Sequence, residues 1–88
     1  MAKFEFKVTI NDPFSGALKN ELACIFYDDA DEHQDSKFTL INATNIEANF
    51  SYELPSDYTE QDAADYVGYL LSDWLYQFSI ENVKQINA

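Results

Sequence analysis

Hydrophobic and polar residues alternate without a break from Lys3 to Ile10. Phe4, Phe6, Val8 and Ile10 fall on one side, and Lys3, Glu5, Lys7 and Thr9 on the other. A period of two marks a strand with one buried face, because successive side chains of an extended chain point to opposite sides. The same period returns further on, where Ile46, Ala48, Phe50, Tyr52 and Leu54 alternate with Glu47, Asn49, Ser51 and Glu53. Phe38 to Ile41 reads as a shorter strand, and Asn42-Ala43-Thr44-Asn45 supplies turn residues that join it to the next as a hairpin ended by Pro55.

The stretch from Ala17 to Tyr27 fits two periods. Leu18, Leu22, Ile25 and Phe26 suit a short helix, whereas Leu22, Cys24 and Phe26 suit a strand, and Cys24-Ile25-Phe26-Tyr27 is rich in β-forming residues. The preceding Asn11-Asp12-Pro13-Phe14-Ser15-Gly16 is dense in turn formers. A second strand closing a hairpin with the first is therefore the expectation, with Asp28 to Ser36 an acidic loop after it.

The period changes once more near Thr59. Ala63, Tyr66, Val67, Leu70, Leu71, Trp74 and Phe78 recur at three- and four-residue steps, which predicts a helix over about 59–78. Asp57 or Thr59 can cap it, with Glu60 or Asp62 as the capping-box partner, and its acids crowd the end that the helix dipole favours. In the tail, Val83 to Ile86 is a candidate edge strand. The fold expectation is one α+β domain over residues 1–88. Two β-hairpins form a four-stranded antiparallel sheet, covered on one face by a single C-terminal helix.

Charge narrows the function more than it narrows the fold. The 88 residues hold sixteen Asp and Glu against five Lys, with no Arg, for a net charge of -11. Eight acids and no base lie between Lys37 and Lys84, and six acids between Lys19 and Lys37. Such a field opposes direct binding to nucleic acid or to an anionic membrane and attracts basic surfaces. Seven Phe, six Tyr and one Trp are too many aromatics for a disordered acidic tail. One cysteine allows no intramolecular disulfide, the N-terminus lacks an apolar signal core, and no segment reaches membrane-spanning length, so a cytoplasmic protein is expected.

No pattern for chemistry emerges. The single histidine, His33, and the single thiol, Cys24, stand apart, and the simplest readings are a solvated loop residue and a small core hydrophobe. A calcium loop started at Asp29 offers Asp31 at position 3 and then fails, with His33 at 5, Gln34 at 6 and Leu40 at 12. Zinc needs more His or Cys than the chain has, and Gly16 and Gly68 form no phosphate loop. Neither catalysis nor a cofactor nor a metal is expected.

One surface pattern remains. Asp62, Asp65, Tyr69, Asp73 and Tyr76 are spaced 3, 4, 4 and 3, a column on the helix face opposite the apolar stripe. A solvated face can look like this, but a solvated surface normally mixes both signs, and no Lys or Arg relieves these acids. Together with Asp28, Asp29, Asp31, Glu32 and Asp35 they form the candidate partner-binding set. Carboxylates three or four positions apart on a helix lie about 5 Å apart along its axis, and B-DNA carries one charge per about 1.7 Å. A helix face plus an acidic segment can thus imitate a run of phosphates. The expected function is a non-enzymatic inhibitor, monomeric or homodimeric, that occupies the nucleic-acid site of a basic processing enzyme. In size and charge it parallels the acidic proteins that phages use against restriction and CRISPR effectors. The alternatives are an immunity or antitoxin partner for a basic toxin, and a small structural or ligand-binding subunit with Tyr52, Tyr66 and Trp74 around a pocket.

Overall fold

The computed structural model describes residues 2–10, 18–32, 37–73 and 77–86, without the side chains of Lys19, Asp31 and Glu32. In chain order the elements are β1 (Ala2–Ile10), α1 (Leu18–Glu32), β2 (Phe38–Ala43), β3 (Glu47–Leu54), α2 (Glu60–Ser72) and β4 (Phe78–Ile86). The four strands form one antiparallel sheet in the order β2-β3-β1-β4. β1 and β2 therefore run parallel with β3 between them, and β3 and β4 run parallel with β1 between them. Each parallel pair needs a crossover, and α1 and α2 supply the two. This is the ferredoxin-like βαββαβ arrangement of two interleaved split units.

The alternating strands carry the core as their sequence predicts. Phe4 lies opposite Tyr52, Phe6 opposite Phe50 and Val8 opposite Ala48, and all six are buried on one face. Phe6 and Phe50 stack with ring centroids 5.3 Å apart. From α1, Phe26 stacks on Phe38 of β2 at 5.0 Å and meets Tyr52 edge-on at 4.8 Å. The α1 helix thus sits over β2 and β3, while α2 sits over β1 and β4, burying Ala63, Val67 and Leu71.

The segment expected as a second strand is the helix α1. Leu18, Leu22, Ile25, Phe26 and Asp29 form its buried side, a helical spacing that outweighs the local β composition of Cys24-Ile25-Phe26-Tyr27. The reason is coverage. Four strands spaced about 4.8 Å apart make a sheet roughly twice as wide as one helix of about 10 Å diameter. A single helix would leave half of the inner face wet, so the sheet takes two. The fourth strand comes instead from the tail, where β4 contains the predicted Val83–Ile86 and begins earlier. Cys24 is exposed on the outer side of α1 and is not part of the core. The turn expected over Asn11 to Gly16 lies outside the described residues.

The second helix starts where its cap predicts and ends sooner than its apolar spacing suggests. The Thr59 hydroxyl accepts the Asp62 backbone N–H at 3.1 Å, and the Asp62 carboxylate accepts the Thr59 N–H at 3.0 Å. Asp73 is the C-cap. Phe78, which extends the helical stripe in sequence, opens β4 opposite Ile10. Further along β4 a bulge sets Asn82 and Val83 against Phe6, between the pairs Glu5–Lys84 and Lys7–Glu81. Asn82 takes φ 53, a left-handed conformation that Asn tolerates better than most residues.

Candidate partner-binding surface

The candidate acidic set divides into residues that face solvent and one that does not. Asp28 is exposed on α1, so the predicted acidic loop begins as the last turn and a half of a helix. Asp31 and Glu32 belong to the same helix, and Asp35 lies outside the described residues. Asp29 is turned inward and only 8% exposed. Its Oδ2 accepts the Tyr52 hydroxyl, and its Oδ1 accepts the Tyr66 hydroxyl at 2.7 Å. Asp29 is therefore no part of a contact surface. A helical residue at the 18, 22, 25, 29 spacing belongs to the buried side whatever its charge, and two phenols satisfy the carboxylate there.

This inward carboxylate matters to the surface because it fixes the geometry behind it. Tyr52 stands on β3, Tyr66 on α2 and Asp29 on α1, so one side chain ties together the two helices and the sheet. Asp29 thereby links α1 to α2 and to β3 behind their outer faces. Of the residues read as lining a pocket, Tyr52 is part of the core instead. Tyr52 is fully buried and spends its hydroxyl on Asp29. Trp74 lies outside the described residues.

On α2 the predicted column faces solvent as far as it is described. Asp62, Asp65 and Asp73 are exposed and Tyr69 is 68% exposed, while Tyr76 lies outside the described residues. Asp62 divides its carboxylate between the cap and the surface, and Asp65 accepts the Gln61 side-chain amide at 2.9 Å. Beside this column is a feature that sequence reasoning missed. Asp57, Tyr58, Asp62, Asp65 and Tyr66 line an open concavity of about 490 Å³ at the start of α2. The Tyr58 and Tyr66 rings meet edge-on there at 6.4 Å. Carboxylates around exposed aromatic edges and faces suit a Lys or Arg head group, which gains both ion pairing and cation–π contact. Tyr58 precedes the helix and follows no period, so only the folded chain places it.

The two sides of the molecule differ sharply in charge. Lys3, Lys7 and Lys84 lie on strands and Lys37 directly precedes β2. Lys7 pairs with Glu47 at 3.5 Å and Lys84 with Glu5 at 3.6 Å, so the open face of the sheet is close to neutral. The described side chains of α1, of α2 and of its lead-in include Glu21, Asp28, Asp57, Glu60, Asp62, Asp65 and Asp73; these segments hold a single lysine, Lys19, in the first turn of α1. Among the described side chains the negative charge is thus concentrated on the helix layer.

Among the described residues no three His, Cys, Asp or Glu side chains converge as metal ligands. No helix among them is long and apolar enough to cross a membrane. The fold itself is silent on function, because this topology hosts many unrelated ones. The sheet face that reads single-stranded RNA in some domains of this topology needs aromatic platforms. Here that face presents Lys3, Glu5, Lys7, Asn49, Glu53 and Lys84. Comparison with family models, with curated proteins and with solved structures finds no match to this chain.

Proposed function

We propose that this protein is a non-enzymatic inhibitor whose helix layer binds a basic, nucleic-acid-processing protein and occupies the site that otherwise holds phosphates. The observation that carries the reading is the segregation of charge. Acids predominate on α1, α2 and the lead-in to α2, where Lys19 of α1 is the only lysine, while Lys3, Lys7, Lys37 and Lys84 lie on or beside the sheet and are in part neutralised by its acids. A surface dominated by one sign speeds encounter with an oppositely charged partner and disfavours partners of like sign.

The residues that make contact are Asp28 on α1, Asp65, Tyr69 and Asp73 on α2, and Asp57 and Tyr58 ahead of it. The acidic–aromatic concavity takes a single basic side chain of the partner, and the flanking carboxylates meet the surrounding basic field. Tyr69 supplies the large rigid ring that interfaces favour. Asp62 contributes charge but also holds the helix cap, so its loss changes stability as well as binding.

Affinity capture from host lysate, with and without excess competing DNA, tests the proposal. A basic nucleic-acid-processing protein that DNA displaces supports it. A captured partner that DNA does not displace favours the immunity or antitoxin alternative, in which the same face covers a toxin. Capture that persists when Asp28, Asp57 and Asp65 are all reversed to Lys overturns the assignment of the surface.

A further inference from the structure

The two edges of the sheet are treated differently. On β4 the Glu60 carboxylate accepts the Gln85 backbone N–H at 3.0 Å, and the bulge at Asn82 interrupts the strand, so this edge is blunted. On β2 no described residue pairs with the outer side of the strand. The edge is also the least charged part of the chain. Phe38 to Ile46 contains no Asp, Glu, Lys or Arg, in a protein of net charge -11. Two of the four large hydrophobic side chains that are exposed among the described residues lie at or beside it. Ile41 is 52% exposed on β2, and Tyr27 is 58% exposed on α1 with its ring against Phe38 at 5.8 Å.

The hydrogen-bond phase of β2 fixes what this edge can accept. The Glu53 N–H donates to the Lys37 carbonyl at 3.1 Å, so Lys37 and Thr39 turn their backbone groups toward β3. Antiparallel alternation then turns the backbone N–H and C=O of Phe38 and Leu40 outward. The bulge at Ile41 ends the run. A second copy approaching across a two-fold axis at Thr39 places Phe38 opposite Leu40 and Leu40 opposite Phe38. Each pair exchanges two backbone hydrogen bonds. Thr39 faces its own copy as the close, non-hydrogen-bonded pair, an arrangement in which threonines assist pairing. Lys37 falls opposite Ile41, so no like charges meet within the ladder.

We propose that this edge is a homodimer interface, in which β2 pairs antiparallel with β2 of a second copy to continue the sheet through eight strands. The occupant is a second copy because the edge is neutral and self-complementary, whereas a basic partner is drawn to the helix layer. The contact is short, so the dimer is weak and depends on concentration. Two copies that each carry -11 repel one another, so added salt strengthens the association. That sign is opposite to the one expected for binding at the acidic layer.

Sedimentation equilibrium from about 10 µM to about 1 mM protein tests the dimer. A monomer–dimer equilibrium that strengthens at least about threefold between about 50 and about 500 mM salt is expected. Thr39→Lys sets two ammonium groups face to face on an exposed position and weakens the dimer at least about tenfold, with an unchanged circular dichroism spectrum. In a Cys24→Ser background, Thr39→Cys forms an intermolecular disulfide on mild oxidation, because directly opposed residues of a non-hydrogen-bonded pair have the Cα separation that a disulfide requires. A chain that stays monomeric at every salt concentration, with no cross-link from Thr39→Cys, overturns the proposal. A dimer that Thr39→Lys leaves intact overturns it equally, since another surface then holds the copies together.

Discussion

Replacing Asp29 by alanine is the sharpest probe of how the helix layer is held. The carboxylate accepts two tyrosine hydroxyls, one from β3 and one from α2, and it is 8% exposed. Hydrogen bonds to a charged acceptor contribute about 1.5–3 kcal/mol, and a buried hydroxyl stripped of its partner costs about 1–3 kcal/mol. Tyr52 is fully buried, so water does not replace the lost acceptor there, whereas the half-buried Tyr66 recovers part of the cost from water. Asp29→Ala should therefore destabilise the fold by about 3 kcal/mol. At about 2.1 cal/mol/K per residue, this corresponds to a fall in Tm of about 15 °C for a domain of this size. Tyr66→Phe should cost about half as much. The double variant should cost less than the sum of the two, because each change already removes the shared bond. Thermal and urea unfolding followed by circular dichroism measure all of these. An Asp29→Ala protein within about 0.5 kcal/mol of the parent would refute the view that this carboxylate ties α1, α2 and β3 together.

Three further substitutions probe the frame. Gly68 sits inside α2, and a Cβ added there would lie 3.7 Å from the Ile80 Cδ1, an ordinary contact. Gly68→Ala should thus stabilise the protein by about 0.5–1 kcal/mol in urea unfolding, and a loss of stability would contradict the packing of α2 over β4. Thr59→Ala removes the capping box of α2 and should cost about 1 kcal/mol by the same assay; no loss would show that the cap is idle. Glu60→Ala frees the Gln85 amide and should speed its hydrogen exchange roughly fivefold, equivalent to about 1 kcal/mol, with little effect on β1. Unaltered exchange at Gln85 would show that Glu60 does not guard the β4 edge.

The elements that were legible in the sequence are those whose period admits one reading. Phe4 to Ile10 and Ala48 to Leu54 alternate cleanly and form the two central strands, and of the two cap candidates Asp57 and Thr59 the structure uses Thr59, with Asp62 as its partner. The α+β class and an antiparallel sheet followed from them, whereas the expected count of four included the segment that forms α1, and β4 supplies the fourth strand. The region from Ala17 to Tyr27 satisfied two periods at once, and only the width of the sheet decides between them. The error carried into the site. With α1 read as a strand, Asp28 to Asp35 became a loop and Asp29 a surface charge. As a helix, the same segment turns Asp29 toward Tyr52 and Tyr66 and leaves Asp28 outside. Local pattern shows which residues share a face of one element. It does not show which faces of two elements meet, and so it hid the concavity between Tyr58 and Tyr66.

Calorimetric titration of the captured partner decides whether the acidic helix layer is the working surface. Affinity should fall at least about tenfold between about 50 and about 200 mM salt, as exposed carboxylates meeting a phosphate site require. Reversing Asp28, Asp57 and Asp65 to Lys should abolish binding while the melting curve is retained, since none of the three is buried or part of the cap of α2. Affinity that is indifferent both to salt and to those reversals would move the contact to another face of the molecule.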